Sequence, residues 1–108
     1  VYKRQDLVVL PVGDCDLAMV YNGRAMGAVV PPGTIVLLKA IDADAIIPGE
    51  EYVIVCQKIV TLRIVRAADA EGKYRLVPGD RENFDDIVVN ASDITSVYKV
   101  KGKLIINS

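Results

Sequence analysis

Few side chains in this sequence could do chemistry. Cys56 and Lys58 stand two residues apart in Cys56-Gln57-Lys58. In an extended strand that spacing puts both on one face, as a thiol nucleophile with a helping amine would require. The preceding Tyr52-Val53-Ile54-Val55 run argues instead for a buried, inert thiol. Cys15 lies between Asp14 and Asp16, whose negative charges oppose thiolate formation. Asp14, Asp16, Asp42 and Asp44 invite a calcium reading. They lack the loop spacing of an EF-hand, with its glycine and closing glutamate, and read as solvated loop residues. The glycines between Gly23 and Gly33 come without the Gly-Lys-Ser/Thr of a phosphate loop, so they supply turns. Lys99, Lys101 and Lys103 alternate. They could touch phosphates, but such a stripe more often marks a solvated edge that discourages strand pairing. No histidine is present. That excludes Ser-His-Asp and Cys-His catalysis, most zinc sites and a histidine pH switch. No metal and no cofactor is expected.

The chain of 108 residues is the size of one domain. Its 52% hydrophobic and 25% charged residues are globular proportions. Lys+Arg total 13 against 14 Asp+Glu, a net charge of −1. That balance argues against gripping nucleic acid by charge alone, which needs a basic face, and leaves room only for a small local patch. No apolar run approaches the roughly 18 residues of a membrane span, and no membrane partner is expected. The two thiols are expected to be reduced, in a cytoplasmic protein. The start, Val1-Tyr2-Lys3-Arg4-Gln5-Asp6, is no signal peptide and has no initiator Met. Residues 1–6 read as the tail of a linker from an upstream domain, and residues 7–108 as one domain.

The elements that must position these residues are mainly strands. Leu7-Val8-Val9-Leu10 is a short apolar run ended by Pro11, and Asp16 to Tyr21 is a second strand candidate. Asn22 to Pro32 is turn-like, with room for one helical turn around Met26 before Pro31-Pro32-Gly33. Thr34 to Ile41 is β-branched and aliphatic and reads as a buried strand. Glu51 to Cys56 and Ile59 to Arg66 flank Gln57-Lys58. They make either a two-residue hairpin, for which Gln-Lys is a poor turn, or a longer loop with a bulge. Further strands are expected at Tyr74–Val77 and Asp86–Val89. Ile94 to Ile106 reads as one long strand or a hairpin around Lys101-Gly102, with Tyr98 and Val100 on one face and Lys99 and Lys101 on the other. The expectation is a mostly β domain of short antiparallel strands, a sandwich or barrel with little helix.

Six segments, in order, resemble one family. Cys15 to Met26, containing Gly23-Arg24-Ala25-Met26, and Pro32-Gly33-Thr34-Ile35-Val36 look like the Gly-Asp-Ser-Met and Pro-Gly-Asp/Ser-Ile-Val signature of LexA-like proteins. Gly49 to Val55 is similar to the family's Gly-x-x-Tyr-Val strand. Thr61-Leu62-Arg63-Ile64-Val65 resembles the strand that carries its catalytic lysine. Tyr74 to Pro78 with Asn83-Phe84, and Ile94 to Ile106, resemble its later loop and closing strands. The resemblance implies a compact LexA/signal-peptidase-like β domain, as found at the carboxy-terminal end of LexA and phage repressors and in UmuD-like proteins.

Members of this family cut themselves with a serine nucleophile and a neutral lysine base. Here the serine position holds Ala25, whose methyl group cannot attack a carbonyl. The lysine position holds Arg63, which stays protonated and cannot act as base. The signature's acidic residue is replaced by Arg24. Lys58 is nearby in sequence, but beside Ala25 it would have no nucleophile to activate. The Ala-Gly bond that such proteins cut is also absent. The expected function is therefore a non-enzymatic dimerisation domain of a LexA-like or phage-type transcriptional repressor. DNA would be read only by a helix-turn-helix upstream of this segment. The expected pairing surface of the homodimer includes Ile94, Val97, Tyr98 and Val100, by the alternating pattern and the resemblance. The alternatives are a Ser-Lys autopeptidase inactivated at Ala25, or a stand-alone protein-binding module.

Overall fold

The computed structural model describes residues 15–57, 59–68 and 70–105. The linker at residues 1–6, the strand expected at Leu7–Leu10, and the residues Asp14, Lys58 and Ile106 lie outside the described residues. Seven strands are described, all paired antiparallel: β1 (Leu17–Tyr21), β2 (Thr34–Ile41), β3 (Glu51–Cys56), β4 (Ile59–Ala67), β5 (Lys73–Val77), β6 (Ile87–Asn90) and β7 (Ile94–Leu104). The only helical pieces among the described residues are 3-10 turns at Ala43–Ala45 and Ala91–Asp93. The mostly antiparallel β reading thus describes the chain. The finer expectation of a sandwich or barrel does not fit as stated. Among the described residues the strands form one continuous sheet in the order β1-β2-β7-β3-β4-β5-β6, with β1 and β6 as its edges.

This single sheet is covered on both faces. Along β3, Val53 packs into one core with Tyr21, Met26, Val30, Val36, Leu38 and Leu62. Its neighbours Tyr52, Ile54 and Cys56 pack into a second core with Val65, Leu76 and Val97. Successive side chains of a strand point to opposite faces, so β3 feeds both cores. The continuous apolar run of β3 is the mark of a strand buried on both sides.

The final segment forms one strand, not a hairpin, and it lies in the middle of the sheet between β2 and β3. Two register shifts interrupt it. Val55 pairs with Ser96 and Cys56 with Ile94, which leaves Thr95 as an extra residue. Leu37 pairs with Gly102 and Leu38 with Val100, which leaves Lys101 as another. Each bulge resets the face parity of the strand. Alternation alone sets Val97 opposite Tyr98 and Val100, and the Thr95 bulge turns Ile94 to the face of Val97. Ile94 and Val97 therefore belong with the second core, and Tyr98 and Val100 pack against the first. The four residues expected to make one pairing surface are thus divided between the two faces: Val97 is buried, and Ile94, Tyr98 and Val100 are half-buried. Val97 is only 2% exposed. Simple alternation in the sequence could not show the bulges.

The β3–β4 connection has two residues, since Cys56 pairs with Ile59. Gln57 takes up the left-handed conformation at φ +54 that such a tight turn needs. Tertiary pairing therefore overrides the poor turn propensity of Gln-Lys, at a cost of about 1 kcal/mol for a residue with a Cβ. Gln57→Gly is expected to raise unfolding free energy by up to about 1 kcal/mol. Val97→Asp is expected to lose about 3–5 kcal/mol by burying an unpaired charge, so charge at this position reports on folding and not on subunit pairing. Urea unfolding of both variants measures these shifts.

Candidate functional site

Ala25 and Arg63 come from distant parts of the chain and line one groove of about 380 Å³. The roll of the sheet brings them together. β1 and β4 are four places apart in the strand order, which in a flat sheet means about 19 Å. Yet Met19, Val20 and Tyr21 of β1 face Val60, Thr61 and Arg63 of β4 across the groove. Asn22, Gly23, Arg24, Ala25 and Phe84 complete its lining.

The loop after β1 sets the floor. Gly27 N–H donates to Arg24 carbonyl oxygen (3.1 Å) and Val29 N–H to that of Met26 (3.1 Å). These are successive tight turns rather than the helical turn expected around Met26. Met26 and Val30 are fully buried and anchor the loop in the first core. Ala25 is buried as well, and its carbonyl accepts from Asp80 N–H (2.9 Å). Gly79 makes that approach feasible, because a Cβ there would run into the Met26 carbonyl. The loop that carries Asp80 thereby pins the signature segment against the groove.

Polar groups at the base of the groove are under-used. Tyr21 is 7% exposed, and its hydroxyl, buried beside Gly23, has no hydrogen-bond partner. Arg63 Nη1 donates to the Leu62 carbonyl (2.9 Å), while its Nε is buried without a partner. Buried donors without acceptors are uncommon in folded proteins and call for an explanation. Tyr21, Val60 and Thr61 were not recognised in the sequence as site residues. No signal there marks them, because only the roll of the sheet sets β1 opposite β4.

No nucleophile with a base lines this groove. Its titratable residues are Tyr21, Arg24 and Arg63. Cys56 is buried in the second core, away from the groove, and Cys15 is a partly buried free thiol. Asp16 Oδ2 accepts from Ala40 N–H (2.7 Å), so it caps the β1–β2 pairing. Asp42 and Asp44 are exposed around a 3-10 turn, as solvated loop residues should be. Among the described residues no group of three or more His, Cys, Asp or Glu side chains gathers in a way that could hold a metal.

The lysine stripe has a different role from either reading of it. It does not guard an outer edge, because β7 is internal. Lys99 Nζ pairs with Glu50 Oε1 (2.8 Å) and Lys103 Nζ with Glu51 Oε1 (3.1 Å). Lys101 is also engaged. These pairs bridge the place where β3 and β7 part, since their pairing stops at Tyr52–Lys99.

No helix among the described residues is long and apolar enough to cross a membrane. No family model matches the chain, and no curated protein matches it. The class defined by fold and site is thus a rolled antiparallel β domain whose groove is lined by two arginines, Tyr21 and Thr61.

The hydrogen bond to Glu50 holds the Lys99 pKa above its ordinary value of 10.5, with desolvation opposing and the Glu50 charge adding to the rise. A raised lysine pKa stabilises the fold below the unfolded value and is lost as pH rises through the folded one. The contribution is therefore complete at neutral pH and disappears only in alkali. Glu50→Gln is expected to lower the Lys99 titration midpoint toward 10.5, read by NMR of the lysine ε-methylene.

Proposed function

We propose that this chain is a catalytically silent, LexA-like association domain, the non-enzymatic half of a transcriptional repressor. One observation carries the reading. The two positions that the resemblance assigns to nucleophile and base, Ala25 and Arg63, line the same groove. The correspondence was inferred from separate sequence segments, and the shared groove is an independent geometric argument for it. At that groove a methyl group stands where a hydroxyl would attack. A guanidinium, permanently charged, stands where a neutral amine would take the proton. Association requires neither group. Two linked copies would set two upstream reading heads on one palindromic site, raising affinity through effective concentration. Of the expected pairing set, Val97 is buried in the second core, while Ile94, Tyr98 and Val100 are half-buried and keep exposed surface that a second copy could cover.

The reading has two tests on the native full-length protein. Carrying Ala25→Ser and held at raised pH, it is expected to keep its intact mass, because Arg63 cannot activate the new hydroxyl. Two fragments in the mass spectrum would return the chain to the self-cleaving peptidases. Sedimentation equilibrium is expected to give a dimer at micromolar concentration. A monomer throughout that range would remove the association role.

A further inference from the structure

The groove also has a charge and an open strand edge that the association role leaves unused. β4 pairs with β3 from Ile59 through Ile64, but β5 joins its other side only from Ile64 onward. Among the described residues, no strand pairs with Ile59–Arg63 on the side away from β3, which leaves backbone donors and acceptors there. Val60 is 61% exposed, Val20 56% and Phe84 37%, and all three line the groove. Arg24 and Arg63 line it too, and among the described residues no carboxylate does. Neither arginine has an ion pair among the described residues. On the loop that carries Phe84, Glu82 and Asp85 do not line the groove, and two other carboxylates are committed elsewhere. Asp80 accepts from Asn83, and Asp86 pairs with Arg75 and Arg81. Arg24 and Arg63 thus place two permanent positive charges beside this strand edge and an apolar rim.

The geometry points to an extended acidic peptide segment of a partner protein as the occupant of this groove. It adds as a strand to the free edge of β4, the mode in which backbone pairing supplies affinity and side chains supply selection. Its carboxylates lie against Arg24 and Arg63, and its apolar side chains lie on Val20, Val60 and Phe84. The guanidinium fork suits a carboxylate better than an amide does. The inference rests on the reading above in one respect, that the groove holds a peptide without cutting it.

The test is fluorescence anisotropy with the native protein and a labelled, end-blocked peptide in which Glu alternates with Val. The same peptide with Gln in place of Glu is the control. The Glu peptide is expected to bind at least about tenfold more tightly at low salt, with the gap closing as salt screens the exposed charges. Arg24→Gln and Arg63→Gln are each expected to weaken the Glu peptide and leave the Gln peptide unchanged. Arg24 is exposed, so its variant keeps the test decisive even if the Arg63 variant misfolds. Equal binding of the two peptides, binding indifferent to Arg24→Gln, or no binding would each overturn the inference. Mass spectrometry of the bound peptide separates the two readings. A selectively bound but cut peptide sinks the silent-domain reading and leaves acidic selection standing. An intact dimer without acidic selectivity does the reverse.

Discussion

The insertion of β7 between β2 and β3 is the constraint on which the rest of the structure depends. No other strand joins β1–β2 to β3–β6 by hydrogen bonds. The last strand of the chain therefore closes a sheet whose first described strand lies at its outer edge. Contacts of such large sequence separation must be made against loop-closure entropy. Only a strand rewarded on both edges and both faces can hold such a position. β7 meets this demand with Val97 in one core and Tyr98 and Val100 against the other.

The bulges in β7 follow from the same demand. A strand with strict alternation would give each core a fixed half of its side chains. The extra residues at Thr95 and Lys101 change that parity along the strand. Thr95 is held at its bulge by a hydrogen bond from its hydroxyl to the Val55 carbonyl (3.1 Å). Where β7 and β3 diverge beyond Lys99, ion pairs to Glu50 and Glu51 replace backbone pairing. Pairs this exposed add little stability, so their clearest effect is to neutralise the basic stripe.

The groove is a product of incomplete closure. The sheet rolls far enough to bring β1 opposite β4, but β5 leaves β4 unpaired over Ile59–Arg63. The loop carrying Met26 and Val30 fills the space inside the roll and fixes Ala25 at the floor. A site of this kind is inherited from the topology. Its chemistry is set afterwards by the few polar side chains that reach it, here Tyr21, Asn22, Thr61 and two guanidiniums, with a methyl group at Ala25.

The sequence by itself determined the strands. β2 and β3 run over Thr34–Ile41 and Glu51–Cys56 as their apolar runs predict, and most other strand ends fall within a residue or two. Pattern and turn chemistry are local, so they are legible in a single chain. The sequence also determined that Ala25 and Arg63 cannot form a dyad, because that is a matter of residue type. Tertiary structure alone decided the strand order, the Thr95 bulge that turns Ile94 to the face of Val97, and the left-handed turn at Gln57. It also decided that Tyr21, Val60 and Arg63 share a groove. These features arise from which strands pair and how far the sheet rolls. That outcome is set by burying apolar area on two faces at once, and no local stretch of sequence contains it.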